Sequence, residues 1–266
     1  MAFTRADALA AAERSVEAAG AHERSPWLAL FTPHGRVEDP VGSRPHRGRA
    51  QIGRFYDTFI GPRDIRAHPD VDVVVGTTVI RDLELEVRMG SGLALRIPAY
   101  LRYDLREHGG ELKIAALLAF WELPSMVLQF LRGGPRAVPA GLQLSVGLLR
   151  NQGLAGTLGF LSGLRGAGAS GRRQFAKFLD QACAGDELTV RRRLARKARI
   201  TRGDDDALTA AELLNRMAGA RWYKLICSGH TMVASVERSG EYAVLFADVG
   251  SNPFTVKRIR YFSELD

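Results

Sequence analysis

The residues of this chain best placed for chemistry lie in one stretch. Arg36-Val37-Glu38-Asp39-Pro40-Val41-Gly42-Ser43-Arg44-Pro45-His46-Arg47-Gly48 ends an apolar–polar run on a carboxylate, then turns through prolines and glycines. The proline after Asp39 biases that residue towards an extended backbone. Its carboxylate is therefore expected at a strand end, facing whatever the following helix covers, where it could accept and return a proton. Taken alone, Asp39 reads better as a strand-end aspartate making a turn with Pro40 and Gly42. Other reactive residue types form no such constellation. His34, His46, His68 and His108 each adjoin Pro or Gly and show no metal-ligand spacing, so they are expected to be exposed. His230 falls in a hairpin, Ser228-Gly229-His230-Thr231. Asp204-Asp205-Asp206 cannot converge on one ion without a loop built for it, and reads as a solvated turn. No metal and no cofactor are expected. Cys183 and Cys227 lack a CxxC pattern, lie in apolar surroundings and fit packing in a reducing compartment.

The elements that must position Asp39 follow from periodicity. Ile52, Phe55, Tyr56, Phe59 and Ile60 form one helical face directly after the loop. Upstream, Thr4 with Asp7 is a capping signal for a helix to about Gly20. Ser25-Pro26 starts a second helix, with Trp27, Leu28, Leu30 and Phe31 as its buried face. Downstream, Val71–Val75, Val79–Val87, Leu93–Leu105 and Glu111–Trp121 alternate as strands, the last two joined by the turn at His108-Gly109-Gly110. Helices first and a meander of long strands after them predict an α+β fold.

The pattern VEDPVGS…PH.G…I..FY resembles the delta-5-3-ketosteroid isomerase family, within the SnoaL-like, nuclear transport factor 2-like superfamily, over roughly Leu9 to Glu122. The resemblance implies a cone-shaped antiparallel sheet covered by helices, with an apolar interior that takes a steroid or similar polycyclic ketone. It places Asp39 at the family's proton-shuttling base. A carboxylate at the mouth of an apolar cone is desolvated, which raises its pKa towards neutrality and suits it to carbon-bound protons. The family also uses two oxyanion donors, a tyrosine and a protonated aspartate. Here the matching positions are Ser15 and Ala99, and no tyrosine precedes Tyr56. Loss of even one such donor typically costs on the order of a hundred- to a thousand-fold in rate. Tyr56, Trp121, Tyr100 and Tyr103 are the substitutes considered, and Tyr56 and Trp121 are retained, because alternation with Ala99 turns Tyr100 away from the interior. Phe55, Phe59, Ile97, Ala99, Leu101 and Trp121 are the expected pocket wall.

Beyond residue 122 the character changes. Residues 123–169 are short amphipathic and glycine-interrupted apolar pieces, and no Asp or Glu occurs between Glu122 and Asp180. A helical linker, packed between domains or at a homodimer interface, is the preferred reading. A peripheral membrane anchor is the alternative, because basic amphipathic helices bind anionic lipid. From about residue 170 the order of helices, strand, helix and strands recurs. The expected organisation is a cone over 1–122, the linker over 123–169 and a second, shortened cone over 170–266. Arg202 falls about where Asp39 falls in the first, so no matching chemistry is expected there.

The net charge of +8 admits nucleic acid or anionic lipid as partners. The run Arg191, Arg192, Arg193, Arg196, Lys197 lacks interleaved aromatics and reads as a solvated helix end, so nucleic acid is not expected. Charges interrupt the N-terminal apolar residues, which predicts no export signal, and no run is apolar and long enough to span a bilayer. A cytoplasmic location is expected, at the inner membrane face if the anchor reading holds. Two function classes stand: an isomerase-like enzyme using Asp39, and a non-catalytic lipid or steroid binder that has lost the oxyanion donors.

Overall fold

The computed structural model describes residues 3–89, 93–132, 134, 150 and 166–264. The chain forms two compact units, Met1–Leu164 and Arg165–Asp266. Each is α+β, with helices packed on one six-stranded mixed sheet.

In the first unit, helix α1 (Arg5–Gly20) begins at a complete capping box. The Thr4 N–H donates to the Asp7 carboxylate at 2.8 Å, and the Asp7 N–H donates to the Thr4 hydroxyl at 3.2 Å, satisfying two otherwise orphaned donors. The buried face of α1 is made of small residues, Ala8, Ala11, Ala12, Ser15 and Ala18, so the helix lies close on the sheet. Helix α2 (Arg24–Ala29) is shorter than the sequence suggested. Phe31 does not extend it but opens strand β1 (Phe31–Glu38), where it pairs with Ile114. The Ile114 N–H bonds to the Leu30 carbonyl at 2.8 Å, which draws the chain onto the sheet at that point. Trp27 packs edge-on against Phe31 with ring centres 4.8 Å apart, and against Tyr56 at 5.3 Å.

Strand β2 (His46–Arg47) leads into α3 (Gly48–Phe55), which continues as one π-helical turn over Tyr56–Ile60. Strands β3 (Asp64–Val75), β4 (Thr78–Met89), β5 (Leu93–His108) and β6 (Glu111–Phe120) form the meander. The sheet order is β2-β1-β6-β5-β4-β3, antiparallel throughout except for β1 beside β6. Strand β5 runs past the end of β6, whose pairing with it stops at Tyr100–Phe120. Beyond that point the backbone of Arg96 faces no neighbour on that side. Helix α4 (Leu123–Arg132) covers it: Arg96 N–H donates to Gln129 Oε1 at 3.3 Å, and Gln129 Nε2 donates to the Arg96 carbonyl at 2.9 Å. A side-chain amide thus caps an open sheet edge with matched donor and acceptor.

The second unit contains α5 (Gly168–Cys183), α6 (Glu187–Arg193), β7 (Leu194–Arg202), β8 (Asp206–Ala207), α7 (Ala210–Met217) and strands β9 (Arg221–Ser228), β10 (Thr231–Arg238), β11 (Glu241–Ser251) and β12 (Phe254–Ser263). Its order, β8-β7-β12-β11-β10-β9, reproduces that of the first unit, including the parallel pair β7 and β12. The chain therefore carries two α+β units in tandem. Helix α6 ends at Arg193, so Arg196 and Lys197 lie on β7 and not at a helix end. Leu194 is already paired to Val256, and the ladder resumes at Arg199–Arg258.

Most of the expected linker lies outside the described residues. Its first ten residues are α4, which packs Met126 and Phe130 against the core of the first unit. Among the described residues no helix is long and apolar enough to cross a membrane, and no group of acids, histidines and cysteines has metal-site geometry.

Candidate active site

The parallel pairing of β1 and β6 assembles the site. Glu38 is in register with Leu118, so the two strands end side by side. Asp39 lies one residue past β1, and Trp121 one residue past β6. The Asp39–Pro40 peptide is cis, and the Val41 N–H returns to the Ala119 carbonyl at 2.8 Å. Gly42, at φ 98°, donates its N–H to the Glu38 carboxylate at 2.9 Å and closes the turn in a conformation that favours glycine. Trp121 Nε1 then donates to Asp39 Oδ1 at 2.5 Å.

Asp39 opens on a cavity of about 100 Å³. Phe55, Phe59, Ile65 and Ile97 wall it, with Leu85, Val87 and Met89 from β4, Met126 from α4, and Arg63 from the loop before β3. Asp39 keeps partial contact with this space, yet the protein around it is apolar. Burial pushes its pKa up to about 6, and the Trp121 hydrogen bond, which favours the charged form, holds it back from rising further. No other hydrogen-bond partner of the carboxylate occurs among the described residues, so its second oxygen is free to face a ligand.

The expected site residues separate into two groups. Asp39, Phe55, Phe59, Ile97 and Trp121 meet at the cavity. Tyr56, Ala99 and Leu101 do not line it but are buried in the adjoining core. Phe55 and Phe59, four residues apart, share the cavity face, while Tyr56 turns towards Trp27 and its buried hydroxyl has no hydrogen-bond partner among the described residues. Ala99 and Leu101 share the strand face of Ile97 but lie further along β5, Ala99 at the inner limit of the overhang and Leu101 beyond it, opposite Ala119. Burial pushes the Tyr56 phenol up, as expected for a hydroxyl among apolar groups.

Two further residues bear on the interior. Tyr103, passed over with Tyr100 as a substitute donor, has the same strand parity as Ala99, which is the signal that retains it. It is buried, hydrogen-bonded to Ser15 on α1, and its pKa is pushed up to about 12 by burial. Arg63 carries no sequence signal, since it follows Gly61-Pro62 in a loop. His46, expected to be exposed, is half-buried instead, with its ring 5.2 Å from that of Phe55. Burial, followed by Arg54 and Arg44, pushes its pKa down to about 4, so it is neutral at pH 7.

Residues 12–116 match the SnoaL-like domain model, and the first unit accordingly carries a SnoaL-like domain. Among solved structures, the chain is similar to delta 5-3-ketosteroid isomerase from Mycobacterium sp., at 26% identity over 45% of this chain and 96% of that one, with a TM-score of 0.41. It is also similar to Rv0760c of Mycobacterium tuberculosis in complex with estradiol-17beta-hemisuccinate, at 22% identity over 45% and 96%, TM-score 0.41. A third is a computationally designed 17-OHP binder, at 21% identity over 45% and 95%, TM-score 0.41. Comparison with curated proteins finds no match.

Proposed function

We propose that the first unit is a steroid-isomerase-like protein in which Asp39 shuttles a proton on a polycyclic ketone. The observation that carries this reading is the Asp39 carboxylate, with a pKa near 6, set in an apolar cavity by Trp121. At pH 7 a group of that pKa is mostly ionised yet basic enough to take a carbon-bound proton. Asp39 takes the proton alpha to the carbonyl, leaving a dienolate, and the resulting carboxylic acid returns it to the gamma carbon. The double bond moves into conjugation with no net change in protons or electrons. Trp121 holds one carboxylate oxygen, so the other does the transfer.

The cavity is smaller than the roughly 300–1,000 Å³ usual for small-molecule sites. A ring system would enter by displacing Met126, which rides on α4.

A second reading rests on a specific observation: among the described residues no hydroxyl lines the cavity. With Trp121 committed to Asp39, the tyrosine and aspartate donors of the resembled family have no counterpart of their own type among the described residues of the cavity wall. A non-catalytic binder of apolar ligands fits that wall. The readings separate in one experiment, conversion of a β,γ-unsaturated ketosteroid to its conjugated isomer, followed by ultraviolet absorbance. Turnover by the wild type that Asp39→Asn removes, with ligand affinity retained, supports the isomerase. Binding without turnover in either protein supports the binder.

Peripheral membrane contact is a separate proposal for the segment that begins with α4. Leu128 and Leu131 are 49% and 67% exposed there, and Arg132 follows them. Flotation with anionic vesicles that Leu128→Ser with Leu131→Ser abolishes would support it, and flotation unchanged by those substitutions would sink it.

A further inference from the structure

Three arginines of the first unit are almost wholly buried: Arg63, Arg81 and Arg102, at 7%, 5% and 3% exposure. Two are neutralised within the fold. Arg81 donates to Asp72 at 2.8 Å, and Arg102 donates to Asp104 at 2.8 Å. Arg63 has no carboxylate partner among the described residues. Its Nη1 donates to the Thr58 carbonyl at 2.6 Å, and its guanidinium stands 5.9 Å from the centre of the Phe59 ring. No described residue accepts from Nε or Nη2.

A buried cation left unpaired is costly to the fold, because it loses hydration without gaining a counter-charge. That cost shows in its own titration: burial alone pushes the Arg63 pKa down to about 10, with no acid opposing the shift. The Thr58 carbonyl bond does not explain the choice of residue, since a neutral donor could make it. What distinguishes Arg63 from Arg81 and Arg102 is its place in the cavity wall, with Asp39. Asp39 and Arg63 nevertheless form no ion pair, so each remains available to a ligand lying between them.

We propose that the cavity takes a ligand with an apolar body and one permanently anionic oxygen group, a carboxylate or a sulfate ester, which seats on Arg63. The free edge of a guanidinium matches such a group with two parallel hydrogen bonds. The apolar walls take the body, and the end opposite the anion meets Asp39. This inference rests on the cavity being a ligand site, as above, but not on any turnover there.

The test is calorimetric binding of two pairs of probes, each an anion beside a neutral analogue with the same ring system: cholate beside its methyl ester, and estrone sulfate beside estrone. The wild type is expected to prefer the anion of at least one pair by tenfold or more. Arg63→Gln should reduce that preference to less than threefold, and Arg63→Lys should keep part of it. Preference confined to cholate identifies a carboxylate, and preference confined to estrone sulfate identifies a sulfate. Equal binding of anion and neutral partner in both pairs, no binding of either anion, or a preference that Arg63→Gln leaves intact overturns the proposal. Thermal melting in the absence of ligand guards against misfolding. Arg63→Met should melt no lower than the wild type if the charge is kept for a ligand, and a large drop would assign Arg63 to the fold instead. If a neutral ketone turns over, loss of kcat in Arg63→Gln with the anion preference unchanged would place the guanidinium at the dienolate and also overturn the proposal. A failed isomerase assay with intact anion preference would leave this inference standing.

Discussion

The two units share a topology and differ in what stands at the same point of it. In each, a parallel strand pair ends side by side at one end of the sheet. In the first unit the next residues are Asp39 and Trp121, and they bond to each other across a cavity. In the second they are Gly203 and Glu264. Gly203 returns its N–H to the Tyr261 carbonyl, and Arg202 is paired with Asp206 at 3.1 Å, so the charge there is spent within the fold. The interiors differ in the same sense. Phe175, Phe178, Leu179 and Met217 are fully buried in the second unit, whereas Phe59, Leu85 and Met126 of the first are only partly covered and border open space. Topology alone therefore makes no site. One polar pair at the strand ends, with apolar volume left unfilled, is what distinguishes the first unit.

The comparison can be sharpened by experiment, beginning with the largest effect. Phe178→Ala should destabilise the second unit by about 3–5 kcal/mol, the usual cost of emptying a filled aromatic site. Denaturant unfolding should show this while ligand binding by the first unit is unchanged. Asp39→Asn should act in the opposite direction. The folded pKa of Asp39, about 6, lies above the ordinary value near 3.9, so the native state holds the extra proton between those pH values. The contribution of that protonation is present at low pH and lost as pH rises through 6. Asp39→Asn should accordingly stabilise the protein at pH 8 by about 1–3 kcal/mol, allowing for partial exposure, and by little at pH 4. A substitution that destabilises equally at both pH values would break the contrast between a unit that holds a desolvated carboxylate at its strand ends and one that does not. Gln129→Ala removes both bonds to the Arg96 backbone and should cost about 1 kcal/mol, with faster amide exchange at Arg96. Arg191→Ala, which breaks only an exposed pair with Glu187, should change stability by less than about 0.5 kcal/mol.

Local signals in the sequence were strong where local chemistry decides structure. Thr4 with Asp7 and Thr209 with Glu212 both form capping boxes, because the bonds involved span three residues. The alternation from Val79 to Val87 gives a strand for the same reason. Phe31 reads as helical from its neighbours yet lies on β1, because its partner, Ile114, is far away in sequence. The arginines after Val190 look like one helix end, but pairing with β12 takes the chain from Leu194 onward. At the site, Asp39 was legible through its motif, and Phe55 with Phe59 through helical spacing. Tyr56 belongs to the same amphipathic face, yet which half of that face meets open space depends on where Trp27 packs. Ala99 and Leu101 have the parity of Ile97, but only Ile97, nearer the free end of β5, reaches the cavity, and parity does not say how far along a strand a cavity extends. Arg63 gives no local sign, since an unpaired charge is a statement about every other residue.

The central claim is that the Asp39 carboxyl is a poised base, and its own titration tests that most directly. Carbon-13 NMR of the Asp39 carboxyl, followed from pH 3 to pH 9 with Asp39→Asn for assignment, should give a midpoint of about 6. Removing the hydrogen bond with Trp121→Phe should move that midpoint upward, since the bond favours the charged form. A midpoint near 4 in the wild type, unmoved by Trp121→Phe, would mean an ordinary solvated aspartate at a turn and would contradict the account.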